Sequence, residues 1–155
     1  MDTNYLITYL TTSLYLIIGL YLIIGMYLLS GMFQDIKTRE VQNSVNLGLL
    51  LASIPLIYYN MDNIGFLHFA FMAAFFMGYM KGMGGADLKA IFPLIFIVPN
   101  VTLFCAVIAI VGMIHMFWAY YHVKPHSWDN LTIPFFVSIF AGYVFTMMIS
   151  GLGVI

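Results

Sequence analysis

The shortage of charge limits this chain more than any other feature. Five basic and six acidic side chains, 7% of the total, must serve 155 residues, and 63% of the residues are hydrophobic. A water-soluble domain of this size carries about 25% charged residues. So few charges cannot cover a globule facing water, and lipid is the expected solvent for most of the surface. The near balance of charge leaves no basic surface for nucleic acid. One cysteine, Cys105, supports neither a disulfide framework nor a cysteine-rich zinc site. The expected organisation is one helical membrane domain over residues 1–155, with no separate soluble domain. The first segment contains Asp2 and no basic residue before its apolar run, so it reads as a retained span and not a cleaved export signal.

Polar interruptions divide the chain into apolar blocks at Tyr5–Phe33, Val45–Tyr59, Ile64–Met80, Leu88–Val98, Val101–Tyr121 and Leu131–Ile155. The stretch Leu88–Tyr121 has two readings, one kinked helix or a short helix and a full span separated at Pro99–Asn100. A single straight helix would run about 51 Å against a hydrocarbon core of about 30 Å, and Pro99 disfavours helix at Val98. A hairpin also puts Lys37, Arg39, Lys81, Lys89 and Lys124 on one side of the membrane, the arrangement expected of a cytoplasmic face. The expected fold is therefore all-α and polytopic, with about six transmembrane helices, one of them short and followed by a tight turn. Both termini, Asp2 and Asp62 then lie outside.

Two acidic residues stand out on that topology. Asp35 closes the first span in Gly31-Met32-Phe33-Gln34-Asp35-Ile36-Lys37, and Asp87 opens the fourth in Gly84-Gly85-Ala86-Asp87-Leu88-Lys89. Both are expected at the cytoplasmic face, and ionisable groups this close to hydrocarbon are costly and often functional. Glycines before Asp87 permit positive φ and close approach, and a helix starting there would offer its positive dipole end. Two carboxylates brought together share a proton, so that one activates water while its protonated partner polarises a peptide carbonyl. That is aspartyl-protease chemistry, with no metal and no cofactor. Structural readings compete: Asp87 as the N-cap of a helix, and Asp35 with Lys37 and Arg39 as an interfacial charge cluster.

These residues resemble the type IV prepilin peptidases, including the archaeal preflagellin peptidases, which are intramembrane aspartyl proteases of the GxGD type. The first family motif, an Asp followed by a basic stretch and an Ile-Pro-Asn-like segment, is matched by Asp35-Ile36-Lys37-Thr38-Arg39-Glu40-Val41-Gln42-Asn43. The second is matched by Gly84-Gly85-Ala86-Asp87-Leu88-Lys89, and a weaker third match is Ile133-Pro134-Phe135-Phe136 followed by Ala141-Gly142. Ala86 stands where the signature has its second Gly, a form similar to the archaeal branch, and Gln42 stands where many relatives have Pro. The resemblance covers nearly the whole chain. It implies cleavage of prepilin-like or preflagellin-like precursors on the cytoplasmic side, between a short basic leader and an apolar helix. It also implies Asp35 and Asp87 as the catalytic pair, with Gly84, Gly85 and Ala86 as the supporting loop. Lys37, Arg39, Glu40, Asn43, Lys89 and Pro134 are candidate contacts for substrate or interface. Bacterial relatives that also N-methylate carry a cytoplasmic domain with paired cysteines, so methylation is not expected here. The expected partners are precursor proteins and the lipid bilayer.

Other residues carry less. His122 and His126 have a metal-like spacing but flank Pro125, and with Asp129 they read as a wet loop. His68 and His115 are expected to hydrogen-bond between helices, Cys105 to be an inert buried thiol, and Lys89 to reach for the interface. Gly19, Gly25 and Gly31 drift around a helix and do not form a dimerisation stripe. Two other classes of function remain open: a small transporter with the two Asp lining an ion path, and an inactive scaffold of the pilus or archaellum machinery.

Overall fold

The computed structural model describes residues 3–80, 85–123 and 134–151, and side chains over 11–80, 85–121 and 134–151. Among the described residues the chain forms six α-helices and no strand: α1 (Thr3–Thr38), α2 (Asn43–Tyr59), α3 (Phe66–Met80), α4 (Gly85–Ile97), α5 (Val101–Val123) and α6 (Phe135–Gly151), with a 3-10 turn at Met61–Asn63 between α2 and α3.

The chain does break at Pro99. Asn100 receives the Leu103 N–H on its side-chain Oδ1 at 2.9 Å and so caps α5. The short fourth helix and tight turn follow. The end of the first helix differs from expectation. Polarity at Gln34 and Asp35 predicts the start of an interruption there, yet α1 carries on to Thr38. Polarity alone does not stop a helix. The stop comes at Arg39, whose φ of 60° puts a non-glycine residue in the left-handed region, while its N–H returns to the Asp35 carbonyl at 3.0 Å. Two prolines that gave no boundary signal, Pro55 and Pro93, lie inside α2 and α4.

The shortest helix is the most enclosed. α4 packs against α2, α3, α5 and α6, while α1 packs against α2 and α6. Ala90, Ile91, Leu94, Ile95 and Ile97 of α4 are all fully buried, in one cluster with Ile24, Leu28, Leu49, Phe104 and Ile139. Two polar groups in this interior are satisfied within their own helices: Ser53 Oγ donates to the Leu49 carbonyl at 2.7 Å and Thr146 Oγ1 to the Gly142 carbonyl at 2.7 Å.

The outside is apolar as well. Leu16, Leu22, Met26, Phe66, Trp118 and Met148 are exposed, a distribution that suits a lipid surround better than water. Among the described residues, two helical stretches are long and apolar enough to cross a membrane, Thr11–Thr38 and Val101–Tyr121, and α2, α3 and α6 are shorter apolar helices.

Candidate active site

One end of the bundle gathers the C-terminus of α1 and the N-termini of α2, α4 and α6. The joins are specific. Phe136 N–H donates to Asp35 Oδ2 at 2.9 Å, tying α1 to α6. Lys89 Nζ donates to Asn43 Oδ1 at 3.0 Å, tying α4 to α2. The Gln42 N–H donates to Gln34 Oε1 at 3.0 Å, fixing the turn from α1 into α2.

Asp35 is buried, 7% exposed. The head of α6 explains why a carboxylate can be held there. Pro134 precedes the helix and has no side-chain acceptor, so the first N–H groups of α6 need a partner from elsewhere. Asp35 supplies it from α1, near the positive end of the α6 dipole. One turn earlier on α1, a Cβ at Gly31 would collide with the Phe136 ring. The absence of a side chain at Gly31 therefore lets α6 approach, and Gly31 and Asp35, on one face at one-turn spacing, take the ring and the backbone of the same residue.

Asp87 is half-buried and lies in the first turn of α4. It is not the N-cap, because Gly85 and Ala86 already belong to the helix. These two residues, expected in a supporting loop, open α4 instead; Tyr79 comes within 3.6 Å of where a Cβ on Gly85 would sit. Gly84 lies outside the described residues. Asp35 and Asp87, distant in sequence, stand at the same end of the bundle, on helices that do not pack directly against each other. Arg39 adds a positive charge that acts on Asp35.

The other expected contacts divide. Asn43 and Lys89 are brought together, and Lys89 stays exposed. Pro134 is half-buried beside Asp35's partner Phe136, and its carbonyl accepts the Val137 N–H at 3.2 Å. Lys37, Arg39 and Glu40 are exposed at the α1–α2 turn. His115 meets Ser138 across α5 and α6 at 3.5 Å, as expected of an interhelical contact. His68 does not bond between helices: its Nδ1 accepts the Gly65 N–H at 3.1 Å at the start of its own helix, while its ring stacks on Phe96 with centroids 6.2 Å apart. Cys105 is buried. His126 and Asp129, and the side chain of His122, lie outside the described residues. Among the described residues, no group of three or more His, Cys, Asp or Glu side chains forms a metal-binding cluster.

Sequence reasoning gave no site role to three residues at this end: Gly31, Phe136 and Asn46. The first two were legible in part, since a proline at the head of a helix announces an N–H in need of a distant acceptor. Asn46 is buried in the first turns of α2, and neither its Nδ2 nor its Oδ1 has a hydrogen-bond partner. No family model, curated protein or solved structure matches the chain.

Proposed function

We propose that the chain is a multi-pass aspartyl endopeptidase of the cytoplasmic membrane that removes the leader of type IV prepilin-like or preflagellin-like precursors. The observation that carries this reading is that Asp35 and Asp87, two acids from separate helices of an almost uncharged chain, stand withdrawn from solvent at the same end of the bundle. Lys37, Arg39 and Lys89 accompany them on α1, the α1–α2 turn and α4, in keeping with a cytoplasmic face.

In this mechanism the pair holds one proton. The ionised carboxylate takes a proton from water, and the resulting hydroxide adds to the scissile carbonyl carbon. The protonated carboxyl donates to the carbonyl oxygen as charge develops there. A proton then passes to the amide nitrogen and the C–N bond breaks, leaving a new carboxylate and a new amine. Coupled carboxylates titrate as a unit, so these roles belong to the pair.

The Asp35–Phe136 hydrogen bond supports a second reading, in which Asp35 only caps α6 and the chain is a catalytically silent scaffold. Asp35→Asn separates the two, because the amide keeps an acceptor oxygen for Phe136 but cannot act as an acid or base. Co-expression with a panel of precursors, scored by mobility shift and N-terminal sequencing, is expected to show a new N-terminus just before the apolar helix. That product should be lost in Asp35→Asn and Asp87→Asn while both variants insert normally. Cleavage retained in either variant removes that residue from the dyad. No cleavage by the wild type across the panel favours the scaffold.

A further inference from the structure

The helices of the bundle differ widely in length. α1 has 36 residues, against 17 for α2, 15 for α3 and 13 for α4. At 1.5 Å per residue the last three span only about 20–25 Å, less than the hydrocarbon core of about 30 Å. One atom aligns their far ends with α1. The carbonyl of Ile97, the last residue of α4, accepts the Tyr21 hydroxyl at 2.9 Å and Asn60 Nδ2, just past α2, at 3.2 Å. At this level the chain turns from α2 into α3 and from α4 into α5, through Asn60, Asp62, Asn63 and Asn100. Asp62 and Asn63 are exposed there.

α1 does not stop at that level. It extends back from Tyr21 to Thr3, about 27 Å of further helix. A tilt of 40° would leave about 21 Å of it, and the lean of Tyr21 toward the helix N-terminus takes up only part of the rest. Leu14, Tyr15, Leu16 and Ile18 in this stretch are 45–73% exposed. α6 accompanies it: Tyr143 donates to the Tyr21 carbonyl at 2.6 Å, and the helix runs on to Gly151 with Val144, Phe145 and Met148 exposed. The bundle therefore has a tall apolar side, α1 with α6, and a short side, α2 to α4.

A flat bilayer fits only one of the two sides. Seated to cover α1, it would draw the Asp62 carboxylate into hydrocarbon, where a charge is costly. Seated to end at the polar turns, it would leave Leu14 to Ile18 in water, against the hydrophobic effect. Bending or thinning the lipid costs only a modest amount for each ångström of mismatch. Building on the multi-pass reading, we propose that the chain seats in a bilayer bent around it. The leaflet remote from Asp35 and Asp87 stands at full height along α1 and α6 and thins over the α2–α3 and α4–α5 turns. Phe92, exposed on α4 beside α2, lies on the thinned side, so a helix approaching α4 through lipid there meets the thinnest hydrocarbon.

The test uses the full-length protein in phosphatidylcholine liposomes with 18-carbon monounsaturated chains. Nitroxide labels are placed by Leu16→Cys on the tall side, Asn63→Cys on the short side and Ile54→Cys in mid-span, with unsubstituted protein as the control for buried Cys105. Collisions with oxygen report lipid, and collisions with a water-soluble nickel chelate report water. Oxygen should dominate at Leu16 and Ile54, and nickel at Asn63. Nickel dominating at Leu16 overturns the proposal, because α1 then stands in water. Oxygen dominating at Asn63 also overturns it, because the turn is then sunk in a flat bilayer. A Leu16 label shielded from both probes overturns it in favour of a second copy of the chain or another protein on α1. Nickel dominating at Ile54 overturns the multi-pass reading itself, whereas oxygen at Ile54 with either failure above overturns the bent bilayer alone. Leu14→Cys and Asp62→Cys repeat the comparison where a first variant fails to fold.

Discussion

The two ends of the bundle use polar side chains in opposite ways. At the end where α2 and α4 finish and α5 begins, neutral amides are consumed by the backbone. Asn60 Nδ2 donates to the Ile97 carbonyl at 3.2 Å, Tyr21 donates to the same carbonyl at 2.9 Å, and Asn100 caps α5. At the other end stand two carboxylates withdrawn from solvent, an exposed lysine and a buried amide with no partner. The first set closes helix ends and stabilises the turn. Asp35 attends to α6, while Asp87 lies in the first turn of α4 and the Asn46 amide has no partner. Polar groups in an apolar medium are costly unless paired; since the Ser150 hydroxyl near the C-terminus of α6 is also buried without a partner, what sets the other end apart is its two carboxylates withdrawn from solvent.

The largest effect that can break this contrast is on turnover. Asp35→Asn and Asp87→Asn are each expected to lower precursor cleavage by roughly 10³-fold or more, the scale of a lost acid–base group. Expression and thermal unfolding should stay near wild type, because the isosteric amide at Asp35 can still accept from Phe136. If Asp35→Asn instead unfolds the protein and Asp87→Asn does nothing, the carboxylates are structural and the two ends are alike.

Gly31 and Gly19 sharpen the contrast within a single helix. A side chain at Gly31 would collide with Phe136, whereas a Cβ at Gly19 meets nothing within 4 Å. Gly31→Leu is expected to destabilise by about 1–3 kcal/mol through overpacking and to depress cleavage by pushing α6 away from Asp35. Gly19→Leu, at an open position on the same helix, should hold or slightly raise stability because leucine is the better helix former. Thermal unfolding in detergent, run beside the cleavage assay, checks both. Equal behaviour of the two variants would mean that the Gly31–Phe136 approach does not position the carboxylate.

Much of the fold was legible because hydropathy and proline act locally. Five of the six apolar blocks match helices to within a few residues, and Pro99 with Asn100 separates α4 from α5 by steric exclusion and a cap. The continuation of α1 past Phe33 was not legible, since polar residues at a helix end look like a loop until the left-handed Arg39 is seen. Nor did the sequence reveal that Gly85 and Ala86 are helical, because glycine permits a loop without imposing one. At the candidate site the two acids could be picked out, but their surroundings could not. Gly31 was lost among evenly spaced glycines, and Asn46 reads as an ordinary helix-start residue. Its unpaired state depends on which helix packs against α2, and that is a tertiary fact.

The smallest predicted effect lies at the closed end, and its smallness is what gives it use. Asn100→Ala removes the side-chain acceptor from Leu103 and should cost about 1 kcal/mol, the ordinary value of an N-cap. It should leave KM and kcat within about twofold of wild type, because distant sites without shared partners act independently. The α4 backbone is a direct route by which this end could reach the other, through Ile97 at its last turn and Asp87 at its first. Asn60→Ala tests that route, since Asn60 holds the Ile97 carbonyl directly. A loss of stability with unchanged kinetics in both variants would assign this end to folding alone. A loss of cleavage in Asn60→Ala but not in Asn100→Ala would show that α4 shifts as a rigid rod and carries Asp87 with it.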